Sequence, residues 1–161
     1  MSEEIVIFRP EKIISGGQTG ADIGGLLAGQ RLGIATGGTA PLGYWTEIGD
    51  RPEFLKGFGL IENTSPDLEE RTRENIRNAD ATVIFTTNPG SDGTLFTIEF
   101  CQVSGKPHLV VSPTDADRVQ LVSDFILKNR PQTLNVAGNR ESNSQGITEI
   151  TAETIERALT R

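Results

Sequence analysis

The sequence predicts a single doubly wound Rossmann-like α/β domain over residues 1–161, with a mainly parallel sheet flanked by helices. Short runs of β-branched and apolar residues alternate with segments of helical periodicity along the chain. The strand candidates are almost continuously apolar, which is typical of parallel strands covered on both faces. No repeat, low-complexity segment or linker divides the 161 residues, a length within the usual size of one domain.

The first half of the chain alternates between strand-like and helix-like patterns. Ile23, Leu26 and Leu27 follow helical spacing, and Gly33 is a typical helix end. In order, we predict a strand at 12–15, a helix from 23 to 33, a strand at 33–36, a loop at 36–43, loop-like chain at 44–56, a short strand at 59–62 and a helix at 68–79.

The second half contains the clearest strand, at 81–86, because its residues are largely β-branched or aromatic. The helix after it is apolar from Leu95 to Val103, so we expect a buried core helix, with a subunit interface as the alternative. In order, we predict a strand at 81–86, a loop at 88–94, a helix to 103, a strand at 107–112, a helix at 115–129, a strand at 133–137 and a helix at 151–159.

Composition argues against several classes of partner. The formal net charge is −7 and no run of Lys or Arg is present, so the footprint of a nucleic-acid-binding protein is missing. No stretch approaches the roughly 20 apolar residues of a membrane span. Cys101 is the only cysteine, and the apolar run near the N-terminus is too short for a signal peptide. We therefore expect a cytoplasmic protein that binds neither nucleic acid nor membrane, although an acidic protein still binds small anions through main-chain N–H groups.

Glycine is the outlier of the composition, with 18 residues, and three clusters that contain glycine follow predicted strands. In an open parallel sheet, ligands bind beyond the carboxyl ends of the strands. The first cluster lacks the lysine of a Walker A loop and the spacing of the dinucleotide fingerprint, yet its main-chain N–H groups are suited to phosphate. Its candidate ligand-binding residues are Gly16, Gly17, Gln18, Thr19, Gly20 and Asp22.

Two more residues of this region, Gly24 and Gly25, lie inside the first predicted helix. Each costs about 1 kcal/mol relative to Ala in a helix interior. Either the helix approaches a ligand closely or it packs tightly on the sheet, and the sequence leaves both explanations open.

Two further clusters follow predicted strands. The second would border the ligand, although an extended turn explains it equally well. The third would place Thr94 at a helix N-cap, where neighbouring N–H groups face an incoming anion. The candidates are Thr36, Gly37, Gly38 and Pro41 in the second cluster and Gly90, Ser91, Asp92, Gly93 and Thr94 in the third.

Outside the clusters, three polar side chains are candidates for the same site. Arg71 and Asn75 lie four residues apart on one helix, so both reach the ligand edge or both belong to a solvated charged face. Arg140, in the loop after the last strand, either clamps a phosphate bidentately or caps a helix.

Signals for catalysis and for a bare metal site are weak. The chain has one Cys and one His and no cluster with metal-ligand spacing, so we expect no protein-bound metal ion. No Ser/His/Asp set is recognisable, and catalytic residues stay unassigned. We expect Cys101 to be a core residue and His108 to be structural.

Three motifs resemble those of the putative molybdenum carrier family: ISGGQTGAD at 14–22, TGGxAPxG at 36–43 and LNVAGxRES at 134–142. That family is similar to the molybdenum cofactor carrier proteins and to the lysine-decarboxylase-like (LOG) phosphoribohydrolases of the Rossmann-like SLOG superfamily. The resemblance covers nearly the whole chain. It implies a Rossmann-like fold, a homo-oligomer, and molybdenum cofactor or a nucleotide as the ligand.

The third cluster also resembles the phosphoribohydrolase motif PGGxGTxxE, with two departures. Ser91 replaces the second glycine of the motif, and Thr97 takes the position of its glutamate. The nearest acid, Glu99, lies two residues further on. These departures argue against the hydrolytic chemistry of those enzymes.

The resemblance and the glycine clusters together favour a binding protein over an enzyme. The leading hypothesis is a carrier of molybdenum cofactor (molybdopterin) or a related phosphorylated pterin, with a molybdoenzyme or a cofactor-biosynthesis protein as its delivery partner. The alternative is binding, or N-glycosidic hydrolysis, of a nucleotide or ADP-ribose-like ligand, with Glu99 or Asp92 as the acid. A third hypothesis is direct binding of molybdate or phosphate.

Overall fold

The computed structural model describes residues 6–160, so residues 1–5 and 161 of the predicted domain lie outside it. Its strands are β1 Lys12–Ile14, β2 Ala35–Ala40, β3 Trp45–Thr46, β4 Gly49–Asp50, β5 Leu60–Glu62, β6 Ala81–Phe85, β7 His108–Val111 and β8 Thr133–Gly138. Six of them form one sheet in the order β5-β2-β1-β8-β6-β7, and every neighbouring pair in it is parallel. The predicted α/β class is confirmed, and all six carboxyl ends lie at one edge.

Helices cover the two faces of this sheet. One large core cluster joins inward residues of β6 and β8, such as Val83 and Val136, to apolar residues of three helices. Because successive strand residues point to opposite faces, Thr82 and Asn135 face the other side, where α3 and α4 pack together. No helix within residues 6–160 is long and apolar enough to cross a membrane. The helices are α1 Ala21–Leu32, α2 Pro52–Gly57, α3 Leu68–Asn78, α4 Asp92–Val103, α5 Arg118–Asn129 and α6 Ile147–Ala158.

Close packing explains the two glycines inside α1. A Cβ atom on Gly25 would lie 2.6 Å from the Cβ atom of Val136 in β8. A Cβ atom on Gly24 would lie 2.5 Å from the carbonyl oxygen of Thr148 in α6. Both glycines therefore let α1 approach the sheet and α6, so no ligand is needed to account for them.

The structure differs most from the predictions in three segments. The chain at 36–40 is not a loop but the greater part of β2, because pairing with β1 and β5 continues through its glycines. The segment at 44–56 contains the β3–β4 hairpin and α2 rather than irregular chain. The last helix begins at Ile147, four residues before the predicted start, because Glu141 accepts hydrogen bonds from the N–H and hydroxyl groups of Thr148 at its first turn.

The expectation of a buried core helix after β6 was also wrong. α4 turns Thr94, Thr97 and Cys101 towards the sheet, and all three are buried. Its large apolar residues face outward, with Leu95 50% and Val103 78% exposed. Small and polar residues let the helix approach the polar face of β6 and β8, and the apolar residues are left at the surface. Cys101 is in the core, as expected, and burial raises the pKa of its thiol.

Candidate functional site

Three strand-end loops meet at Asn139, the first residue after β8. Its N–H donates to the carbonyl of Phe85 at 2.9 Å, and its carbonyl accepts from the N–H of Ala21 at 3.0 Å. Its side-chain Oδ1 accepts from the N–H of Thr87 at 2.7 Å. The loops after β1, β6 and β8 therefore converge on one region, as the strand order requires.

The glycine-rich loop after β1 is buried along its whole length. Three of its N–H groups already donate within the protein: Gly17 to Ser15 Oγ at 3.3 Å, Gln18 to Asp22 Oδ2 at 3.1 Å and Thr19 to Gln18 Oε1 at 3.0 Å. In this conformation these groups are not free to bind a phosphate. Charged side chains from other elements, those of Arg71 and Glu47, pack against this loop.

Arg71 of α3 packs against the loop after β1 and pairs with Asp22. Arg71 Nη1 is 3.1 Å from Asp22 Oδ2, and the two side chains are only 12% and 6% exposed. Gly16 makes the approach possible, because a Cβ atom there would lie 2.0 Å from Arg71 Nη1. Burial raises the pKa of Asp22, which the Arg71 guanidinium opposes, and burial lowers the pKa of Arg71. The pair is therefore a buried charge pair and not a solvated one.

A crevice opens beside this pair, between the N-terminal turns of α3 and α4. We call it the strand-end crevice, and its cavity volume is ≈ 220 Å³. Two arginines from distant parts of the chain, Arg71 and Arg140, reach it. Its lining residues are Leu68, Glu69, Arg71, Thr72, Asp92, Gly93, Phe96 and Arg140.

The N-terminus of α4 supplies hydrogen-bond donors to the crevice. Ser91 and not Thr94 is the N-cap, because Ser91 Oγ accepts the N–H of Thr94 at 3.4 Å. Thr94 is one turn inside the helix, so its predicted cap role was wrong. Among the hydrogen bonds of residues 6–160, none uses the N–H of Asp92 or Gly93. These two groups and the helix dipole favour an anion at this end of the crevice.

Residues 13–159 match the family described as "Circularly permutated YpsA SLOG family". The chain belongs to this SLOG family. It is also similar to the crystal structure of a "Putative molybdenum carrier protein" from Syntrophus aciditrophicus, with 30% sequence identity and a TM-score of 0.88 over 96% of this chain and 98% of that one. No curated protein matches the sequence. Family membership and the named neighbour suggest a ligand-binding role.

The second glycine cluster of this SLOG protein does not border the strand-end crevice. Thr36 Oγ1 donates to the carbonyl of Phe58 at 2.8 Å, and Pro41 is buried after β2. Gly38, with φ 127°, lets β2 pass close to β1, because a Cβ atom there would lie 2.0 Å from the carbonyl oxygen of Ser15. Gly37 lies against the Lys12 side chain. Gly37 and Gly38 therefore allow β2 to pack closely against β1.

Asn75 faces the sheet but has no free hydrogen-bonding group. Its Oδ1 accepts the N–H of Thr39 at 2.8 Å, and its Nδ2 donates to the carbonyls of Thr39 at 2.9 Å and Arg71 at 3.1 Å. Asn75 therefore fixes α3 on β2 and so positions Arg71. Gly90 is exposed in the loop before Ser91 and is not among the residues that line the crevice.

Sequence reasoning missed the β3–β4 hairpin, residues 45–50, which we call the strap. Glu47 at its tip accepts hydrogen bonds from the hydroxyl groups of Thr19 and Ser142 and from the N–H of Ser142 at 3.3 Å. Trp45 packs against Arg140, with the guanidinium carbon 5.6 Å from the ring centroid. These contacts span up to 95 positions of the chain, and no local pattern signals them.

Proposed function

We propose that the strand-end crevice binds the phosphate of molybdenum cofactor or a related phosphorylated pterin, and that the protein carries or stores this ligand. The supporting observation is the convergence of Arg71, Arg140 and the α4 N-terminus on one crevice. Guanidinium groups bind phosphate bidentately, and helix N-termini favour anions. The name of the Syntrophus neighbour supports molybdenum as the element that the ligand carries.

The residues present fit such a group without a protein-bound metal. Within residues 6–160, no three His, Cys, Asp or Glu side chains are grouped as metal ligands. A cofactor whose pterin dithiolene already holds the molybdenum needs no metal ligands from the protein. The crevice volume of ≈ 220 Å³ lies below the roughly 300–1,000 Å³ of typical ligand pockets. We infer that the phosphate end enters the crevice and the pterin lies along its open mouth.

The hydrolytic alternative has less support. Glu99 is exposed on the outer face of α4, among Arg73, Phe96, Phe100 and Val103, and does not line the crevice. Thr97, at the glutamate position of the phosphoribohydrolase motif, is buried, and its hydroxyl donates to the carbonyl of Gly93. Of Glu99 and Asp92, the two acids named for this chemistry, Asp92 lines the crevice. Binding without turnover is the simpler proposal.

Arg140→Gln tests the proposed binding. The variant removes a guanidinium that lines the crevice, and a hydrogen bond to a charged group contributes about 1.5–3 kcal/mol, so we expect affinity to fall by about 10–100-fold. Binding of supplied molybdopterin is measured by calorimetry and by the fluorescence of the oxidised pterin. Arg157→Gln on α6 is the matched control, because the Arg157 side chain is exposed and pairs with Glu153, away from the crevice residues.

Two outcomes would count against the proposal. If wild-type protein does not bind the supplied cofactor at micromolar concentration, the proposed ligand is wrong. If Arg140→Gln and Arg157→Gln bind equally well, the proposed crevice is wrong. Nucleoside monophosphates serve as a parallel ligand set, and release of free base from them would favour the hydrolytic alternative.

We further propose that a second copy of the chain covers the outer face of α4. The exposed Leu95 and Val103 flank Phe96 and Phe100, which the guanidinium carbons of Arg73 and Arg77 approach at 5.1 and 5.4 Å from the ring centroids. An apolar helix face at the surface is typical of protein–protein contacts. The carrier hypothesis also implies a delivery partner, and no surface of the described residues is assigned to one.

Val103→Glu should convert such an oligomer to a monomer, because the interface would remove the new carboxylate from water at a cost of several kcal/mol. Light scattering coupled to size-exclusion chromatography measures the mass. Leu121→Glu, at a 39% exposed position on α5, is the control and should leave the mass unchanged. A monomeric wild-type protein would show that the face is not a homo-oligomer interface.

A further inference from the structure

The carboxylate of Glu47 is surrounded by donors that come from two different strand-end loops. Thr19, in the loop after β1, donates its hydroxyl, and Ser142, in the loop after β8, donates both its hydroxyl and its N–H. Arg140 adds a favourable charge interaction. Two hydroxyls, one N–H and one guanidinium form the kind of set that binds a phosphate or carboxylate oxyanion.

Gln18, which bonds to the strap through its side-chain oxygen, has a hydrogen-bond donor that is not satisfied within residues 6–160. Its side chain is only 6% exposed, and its Oε1 accepts the N–H groups of Thr19 at 3.0 Å and Glu47 at 2.9 Å. Its Nε2, on the same amide, is buried with no acceptor among the described residues. A buried donor without an acceptor is costly, so the arrangement in which Gln18 bonds to the strap carries a penalty.

The charge state of Glu47 makes it a competitor for this set. Burial alone would raise its pKa, but hydrogen bonds from Ser142 and Thr19 outweigh burial and hold the pKa below its ordinary value. Glu47 is therefore an anion at neutral pH. Its carboxylate oxygens accept hydrogen bonds from Thr19 and Ser142 and lie near the charge of Arg140, as the oxygens of a phosphate would.

We propose that Thr19, Ser142 and Arg140 form an oxyanion subsite that Glu47 occupies in this structure, and that an incoming oxyanion displaces Glu47 and releases the strap. The proposal deepens the proposed function and rests on it only for the identity of the ligand that carries the oxyanion. Arg140 links the two places, because it lines the strand-end crevice and also packs against Trp45 of the strap.

The fluorescence of Trp45 reports the position of the strap directly. It is the only tryptophan of the chain, and it is 39% exposed in β3, two residues before Glu47. Its ring lies against the Arg140 guanidinium, so movement of the strap changes both its emission and its access to a quencher. The readout needs no knowledge of the natural ligand.

Glu47→Gln tests the subsite, with Glu53→Gln as the matched control. Glu53 is exposed at the start of α2, so its substitution removes the same charge without touching the donor set. We expect Glu47→Gln, and not Glu53→Gln, to increase acrylamide quenching of Trp45. We also expect it to tighten binding of inorganic phosphate by about tenfold, because the strap no longer holds the subsite closed.

The result that would overturn the proposal is equal quenching and equal phosphate affinity in the two variants. Adenosine monophosphate forms a second arm: a larger gain for it than for phosphate points to an esterified phosphate, and equal gains point to the free oxyanion. If molybdopterin fails to bind while Glu47→Gln still frees Trp45 and tightens phosphate, the subsite stands and the proposed ligand fails. If molybdopterin binds and the two variants behave alike, the subsite is wrong and the proposed function stands.

Discussion

Replacing Arg71 with methionine should lower the free energy of unfolding by about 3–5 kcal/mol at neutral pH, because it leaves the buried Asp22 carboxylate without its counter-charge. Asp22 keeps the N–H of Gln18 at 3.1 Å but loses Arg71 Nη1, also at 3.1 Å. The side chains of the pair are only 12% and 6% exposed, so water compensates poorly for the lost partner. Denaturant unfolding followed by circular dichroism measures the change.

The loss in Arg71→Met should shrink as the pH falls. Burial raises the pKa of Asp22, and the variant lacks the guanidinium that opposes this rise. A group whose pKa is raised in the folded state contributes stability that is present below its unfolded pKa and is lost as the pH rises through the folded value. The variant should therefore be closest to wild type in acid, below the ordinary carboxyl pKa, and furthest from it at neutral pH.

Arg77→Met on the same helix is the control for this prediction. Arg77 is 49% exposed and pairs with Glu70 and Glu74 at the surface. Its loss should change the stability by no more than about 1 kcal/mol. Equal effects of the two substitutions would mean that the buried pair contributes no more than a surface pair.

Gly138→Ala should cost about 3 kcal/mol or more. Gly138 ends β8 at φ 149°, and a Cβ atom there would lie 1.9 Å from the carbonyl oxygen of Phe85. That oxygen belongs to the backbone of β6 and also accepts the N–H of Asn139, so it cannot move aside. Strained backbone costs about 1–3 kcal/mol, and overpacking costs about as much again.

Gly57→Ala is the matched substitution without these constraints. A Cβ atom on Gly57 would meet no heavy atom within 4 Å, and the residue ends α2. Alanine there should be neutral or should stabilise by up to about 1 kcal/mol. Thermal unfolding of both variants gives the comparison, and equal melting temperatures would contradict the role assigned to Gly138.

The sequence predicted the alternation of elements and hence the α/β class, because apolar periodicity is a local property. It did not predict that β8 lies between β1 and β6, since strand order depends on contacts between distant segments. Glycine at 37 and 38 suggested a loop, but those residues are small because β2 lies close to β1. For α4, apolar content suggested burial, yet the fit to a polar sheet face decided which residues are buried.

For the site, the principle that parallel strands end at one edge correctly brought Arg71, Asp92, Gly93 and Arg140 to a common crevice. Their role as ligand-binding residues stays a prediction. Asp22 and Asn75 each hold a partner from a distant part of the chain, and their role as ligand contacts also stays a prediction. The contacts of Glu47 could not have been found, since a hairpin tip that reaches two loops leaves no periodic or motif signal.

The position of β8 has a consequence for biosynthesis. Of the sheet strands it is the last to leave the ribosome, and yet it lies between β1 and β6. Until residues 133–138 emerge, β5-β2-β1 and β6-β7 are two separate half-sheets, each with an edge whose main-chain groups lack partners. Such edges pair readily with other chains. The nascent protein is therefore most prone to aggregation while β8 is still unpaired, and insertion of β8 joins the two halves.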